Sequence, residues 1–465
     1  MVQAHVLRVN FGQLARALAA APLAALIAAF LTTFSGPAHA MKIQTIKSPG
    51  GIEAWLVEEH SVPMMAMRFA FEGGSSQDPV GKEGLANFLT AMLDEGAGDL
   101  VSRDFQERME DLSMRMNYEE AKDGFYGNFQ TLTANRDESV KLLKLALNEP
   151  RFDPDAVERI RQQLLATLVY AARDPNKVAL EKWYTSAFAG HPYARPANGT
   201  EETVGKNITR DDLAAYRKRV FAKDTLKVVA VGDINAEQLG KLLDDVFGDL
   251  PEKADLVPVP KTSPVTGGRQ EVFEMNVPQS VAVFGLGAMA RKDPDFIPAF
   301  VLNQILGGGG FASKLMEEVR EKRGLAYSVY TYVYPYQHAS IFSGAVATRN
   351  EAMGQSLEVI RGELEKMAEK GPSQEDLDNA KNYLIGSYPL RFDTNAKIAT
   401  QLLGLRVDGF GPEYVDNRNA MIAAVTLDDV KRVAKRLLAT DDLIVTIVGK
   451  PTLQEAKKDK DAKKG

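Results

Sequence analysis

The chain has 465 residues, 45% of them apolar and 25% charged, with a formal net charge of −6. That length favours two or more domains over one, and an acidic chain without a basic stripe lacks the profile of a nucleic-acid binder. It contains no cysteine, which excludes disulfides and lipoprotein acylation.

Arg8 and Arg16 precede the apolar run "ALAAAPLAALIAAFLTTF", and the small-residue site Ala38-His39-Ala40 follows it. A positive start, an apolar core and an A-x-A site predict a secretory signal peptide over 1–40. Pro22 and the modest apolar length argue against a permanent membrane helix, the uncleaved anchor being the alternative. The expectation is export to a bacterial periplasm and a soluble chain from about Met41, with no membrane association after cleavage.

Alternation in "VPMMAMRFAF" and "GFYGNFQTLT" predicts half-buried antiparallel strands. Apolar spacing predicts amphipathic helices over 82–95, 153–173, 350–368 and 373–388. The segment 249–270, rich in proline, threonine and glycine, reads as a linker between a first domain over 41–248 and a second over 271–455. Its flanks repeat each other. "ITRDDLAAYRKRVFAKDTLKVVAVGD" (208–233) aligns without gaps on "VTLDDVKRVAKRLLATDDLIVTIVGK" (425–450), each with Thr-x-x-Asp at a helix start and a β-branched run before Val-Gly. Thr209 with Asp212, and Thr426 with Asp429, are capping boxes with Asp in place of Glu. A fainter echo sets "FEGGSSQDP" (71–79) against "LGAMARKDP" (286–294). Internal duplication accounts for the pattern. The predicted class is α+β: two homologous domains, each an antiparallel sheet with helices packed on one face, together a cupped half-shell. The lysine-rich end, 456–465, reads as a solvated tail.

"GGGGF" (307–311) precedes a helix, as a phosphate cradle does, but no Gly-Lys-Ser/Thr follows. Absent side chains there let backbone approach a peptide, and a neighbouring strand edge offers strand addition. A plain helix-to-helix turn is the alternative, although four glycines exceed what a turn requires. By spacing alone, Arg320 among Glu317, Glu318 and Glu321 is a surface charge of little worth, and Tyr327 is a packing aromatic. His60, His191 and His338 are not spaced for a joint helical site, and His191 in "GHPY" reads as fixing a turn.

"GKEGLANFLTAML" (81–93), "DPNKVALEKWYTSAFAGHPYARPANGTEETV" (174–204), both "VVAVGD"-type strand ends and "GGGGFASKLMEEVREKRGLAYSV" (307–329) together resemble the pitrilysin/insulinase family of zinc metallopeptidases, the inverzincins. Small bacterial members and mitochondrial processing peptidases are the nearest in kind, and the likeness spans essentially the whole chain after the signal. Active members carry His-x-x-Glu-His on the first-domain helix, so that one turn sets two imidazoles on zinc and a glutamate on the attacking water. Here the motif falls on Asn87, Phe88, Leu89, Thr90 and Ala91, and the downstream carboxylate position falls near Thr167. A neutral amide, two hydroxyls and a methyl do not make the three-ligand site that catalytic zinc needs.

The second domain keeps a different set. The family's arginine and tyrosine, seven residues apart, match Arg320 and Tyr327, and the glycine loop Gly307, Gly308, Gly309 and Gly310 matches one beside the substrate path. Arg323 has the wrong spacing. The resemblance therefore implies a chain that binds no zinc or other cofactor itself. It would pair with a zinc-binding homologous subunit and complete that partner's site in trans, for hydrolysis of peptides or unfolded segments. A stand-alone peptide-binding or scaffold protein on the same fold is the alternative.

Overall fold

Two sheets with the same strand order organise the chain. The computed structural model describes residues 41–453; the predicted signal peptide and the charged tail lie outside them. The first sheet is built from β1 (Gln44–Lys47), β2 (Glu53–Glu58), β3 (Met64–Glu72), β4 (Arg115–Glu120), β5 (Gly124–Leu132) and β6 (Lys227–Gly232), in the order β1-β2-β6-β3-β5-β4. The second uses β7 (Arg269–Glu274), β8 (Gln279–Gly287), β9 (Ala326–Pro335), β10 (Ser340–Arg349) and β11 (Ile444–Gly449), in the order β7-β11-β8-β10-β9. Apart from β1, the two orders superimpose term by term. The faint sequence echo falls on the exits of the corresponding strands β3 and β8.

The sequence suggests two antiparallel sheets, and the structure corrects this, since each sheet contains one parallel pair. β2 pairs with β6, and β7 with β11, in parallel. Each pair is joined by a long crossover through helices, the connection a parallel pairing requires.

Helices of the first half are α1 (Leu85–Thr90), α2 (Ser102–Asp111), α3 (Arg136–Asn148), α4 (Pro154–Ala171), α5 (Pro175–Ala187), α6 (Arg210–Val220) and α7 (Ala236–Phe247). Those of the second are α8 (Phe296–Asn303), α9 (Met353–Lys370), α10 (Gln374–Gly386), α11 (Asn395–Val407), α12 (Tyr414–Ala424) and α13 (Leu427–Leu437). Among the described residues, no helix is long and apolar enough to cross a membrane. The internal repeat becomes α6–β6 and α13–β11. Thr209 and Thr426 each accept from the backbone N–H three residues on, while Asp212 and Asp429 accept from the cap's own N–H. Thr426→Ala should therefore lower unfolding free energy by ~1 kcal/mol, read as a lower urea midpoint, and Thr426→Ser should not.

Most helices lie on one face of their own sheet, as expected, but the opposite face is also covered. α5, from the first half, packs on β8 and β11 of the second sheet. Its Trp183 is fully buried, donates Nε1–H to the Ile444 carbonyl at 3.2 Å, and sits with Phe188 and Tyr193 against Val281, Val283 and Val448. In return α11, from the second half, packs on β3 and β6. Arg406 there donates to the carbonyls of Glu53 (3.0 Å) and Val228 (2.6 Å). This explains β3, which alternates in sequence yet buries Ala66 and Ala70 as fully as Met67 and Phe69. β5 keeps the expected alternation. The halves also meet at Tyr193, whose hydroxyl donates to Asp123 Oδ1 (2.6 Å) and accepts from the His338 N–H (3.1 Å).

Candidate functional site

The helix over 82–95 is shorter than its apolar spacing predicts. After Thr90 the backbone tightens to bonds three residues back, Ala91 to Phe88 and Met92 to Leu89, and only Leu85–Thr90 is α-helical. Gly84 opens it at φ +92°, where a Cβ would lie 2.8 Å from the Asn198 carbonyl oxygen. Asp78 supplies the missing cap: its two carboxylate oxygens accept from the N–H groups of Gly84 and Ala86, both at 2.9 Å. Burial raises this carboxyl to about 8, against the pull of those two donors. The folded chain thus holds the proton to higher pH than the unfolded chain does, so this group's contribution to stability falls as pH rises from about 4 to about 8. The wild-type urea midpoint should drop relative to that of Asp78→Asn between about pH 5 and about pH 8. A constant difference would mean that Asp78 does not titrate in that window.

On α1, Phe88 and Leu89 are buried, and Asn87, Thr90 and Ala91 are half-buried. Thr90 Oγ1 donates to the Asn87 carbonyl at 2.7 Å, and Thr167, exposed on α4, donates to the Gln163 carbonyl at 3.0 Å. Both hydroxyls are thus engaged with their own helix backbone. Among the described residues, no three metal-ligating side chains gather closely enough to share an ion. His60 pairs with Asp233 (2.7 Å) and Glu58 (3.4 Å). His191 does fix its turn: Nδ1 accepts from the Tyr193 N–H (3.1 Å), and Nε2 donates to the Pro260 carbonyl (2.9 Å).

Arg320 and Tyr327 come together. The Arg320 guanidinium lies 4.7 Å from the centre of the Tyr327 ring and 4.5 Å from that of Phe311, between the two. Arg320 sits in a π-helical turn, Met316–Glu321. Tyr327 is the extra residue of a β-bulge, since Ala326 pairs with Thr348 and Ser328 already with Ala347. A bulge of this kind re-aims a side chain, and Tyr327 is 78% exposed.

Two of the three acidic neighbours of Arg320, Glu317 and Glu318, are taken by other cations, and Glu321 makes no ion pair with it. Glu318 holds Arg323 (2.5 Å) and Lys322 (2.7 Å), and Glu317 holds Lys322 (2.8 Å). Among the described residues, no carboxylate lies within ion-pair distance of Arg320, whereas Arg323 is committed to Glu318. Phe311, the second ring over Arg320, is a member that spacing did not reveal, although it closes the glycine run. The arrangement presents a guanidinium and a phenol, both donors, to whatever covers them. Donors so placed stabilise negative charge on a carbonyl oxygen only weakly in water and strongly once enclosed.

The glycine run is needed by the loop itself, which corrects the expectation of an excess. A Cβ on Gly307 would lie 2.7 Å from the Thr331 backbone nitrogen, one on Gly308 2.6 Å from Asn303 Nδ2, and one on Gly309 2.6 Å from the Gln304 carbonyl oxygen. Gly310 has φ +57°. Gly307 is buried beneath Thr331, so Gly308, Gly309 and Gly310 are the part that other molecules can reach.

Known proteins share both halves. Residues 55–201 match the family model "Insulinase (Peptidase family M16)", and residues 207–384 match "Peptidase M16 inactive domain". The non-peptidase homolog YmxG of Helicobacter pylori is 32% identical over 340 residues, covering 72% of this chain and 78% of its own. An uncharacterized zinc protease of Streptomyces coelicolor is 25% identical over 400 residues, 84% of this chain and 86% of its own. The crystal structure of a peptidase M16 inactive domain from Pseudomonas fluorescens superimposes with a TM-score of 0.83 at 28% identity, covering 89% of this chain and 99% of that one. The chain belongs to peptidase family M16, the insulinase family, as a member whose first-domain helix carries none of the family's metal-binding side chains.

Proposed function

We propose that this chain is the zinc-free subunit of a heterodimeric periplasmic metallopeptidase. A homologous partner with an intact His-x-x-Glu-His motif binds the zinc and the hydrolytic water. Arg320 and Tyr327 reach the scissile carbonyl in that partner's site and steady its developing negative charge, and the exposed part of the glycine loop lies against the substrate backbone. The observation that carries the reading is the Arg320–Tyr327 pair, stacked, free of carboxylates and projected outward by a bulge. Its exposure suits a group that works only when another protein encloses it.

Co-expression with a zinc-motif homologue from the same genome is the test. A one-to-one complex should hold zinc and cleave unfolded polypeptide, while neither chain alone should cleave it and this chain alone should hold no zinc. Purified chain that stays alone and still captures peptides without hydrolysis would instead establish a peptide-binding or scaffold role. For the periplasmic assignment, N-terminal sequencing of protein from the native host should begin at Met41, and recovery of an uncleaved chain in the membrane fraction would overturn it.

A further inference from the structure

At the end of β9 opposite to Tyr327, where Val333–Pro335 meet α8, α11 and α12, the fold forms an open pocket of about 300 Å³. It shares no lining residue with the site described above. Its volume is at the lower end of small-molecule pockets, ~300–1,000 Å³. Three arginines line it, Arg291, Arg391 and Arg418, and a single carboxylate, Asp408.

Asp408 is already engaged. Arg291 donates Nε–H to it at 2.9 Å and Nη2–H to the Tyr414 hydroxyl at 3.0 Å, with its guanidinium 4.6 Å from Phe296 and 4.5 Å from Phe410. Arg418 is only 6% exposed. Its Nη1 donates to the Leu384 carbonyl and to Asn419 Oδ1, both at 2.9 Å, and its guanidinium lies 4.1 Å from the centre of the Tyr388 ring. Among the described residues, no carboxylate is within ion-pair distance of Arg418 or of the exposed Arg391. Leu384 is in the last turns of α10, and the partial charge there offsets some of the cation. A buried guanidinium without a counter-ion is nevertheless costly. Burial, and then the charges of Arg391 and Arg291, pull Arg418 below the usual arginine range, against the opposing pull of Tyr388 and Tyr414.

We propose that this pocket binds a small organic oxyanion, a carboxylate or phosphate attached to an aromatic or compact apolar group. Arg418 and Arg391 hold the oxyanion, while Phe300 and Tyr388 contact the apolar part. Arginine presents a planar fork of donors that suits both oxyanions, and the rings supply the apolar wall that small-molecule sites share.

Calorimetric titration of the full chain with benzoate and with phenyl phosphate, at fixed ionic strength and with benzyl alcohol as the neutral control, tests the proposal. At least one anion should bind saturably where benzyl alcohol does not, and the tighter of the two identifies the oxyanion class. Because Arg391 is exposed, Arg391→Ala should leave the thermal melt unchanged and weaken that binding about tenfold, the effect of losing one charge-assisted contact. Binding of neither anion above the neutral control, or an unchanged affinity in Arg391→Ala, would overturn it.

Discussion

In the proposed two-chain peptidase, Arg320→Ala in this chain should lower kcat by about 10²–10³-fold while leaving zinc content and complex formation intact. The magnitude follows from the role. A donor aimed at an oxyanion acts mainly on the transition state, where the carbonyl oxygen becomes charged, so its loss appears in kcat more than in KM. Tyr327→Phe removes only a hydroxyl and keeps the ring over Arg320, so it should lower kcat with no change in assembly. Arg323→Ala is the control. Its guanidinium is bound to Glu318, so that change should leave kcat near wild type. Equal losses in Arg320→Ala and Arg323→Ala would mean that both arginines serve the helix and that neither reaches the substrate.

The second large effect concerns stability. Trp183→Ala should cost ~3–5 kcal/mol, the range for removing a large buried aromatic, and read as a lower urea midpoint. Trp183 is fully buried, bonds the Ile444 carbonyl and fills the contact between α5 and the second sheet. The facing position has no room to compensate: a Cβ on Gly285 would lie 2.5 Å from the Trp183 ring. Gly285→Ala should therefore destabilise as well, by overpacking rather than by a cavity. A midpoint unchanged in Trp183→Ala would mean that α5 is only laid against the sheet and contributes little to holding the halves together.

Local features were legible in the sequence because their causes are local. The capping boxes at Thr209 and Thr426 depend on residues three apart. The repeat that carries them marks two matching helix–strand units. Asn87, Thr90 and Ala91 announce by residue type alone that α1 offers no imidazole or carboxylate. The α+β class follows from the mixture of periodicities. The glycine run is not legible in the same way: what makes Gly307 necessary is Thr331, on a strand more than twenty residues away, and no local count of glycines reports it.

By itself, then, the sequence determined most of the elements it named, the duplication and, through its motifs, the family, all of which rest on short segments. The tertiary structure alone decided which sheet each helix covers, which of Arg320 and Arg323 is free, and where Arg418 lies. The physical reason is that burial and ion pairing belong to contacts, not to positions along the chain. Trp183 bonds Ile444 across 261 residues, Arg406 bonds Val228 across 178, and an arginine is free or spent according to which carboxylate the fold leaves beside it.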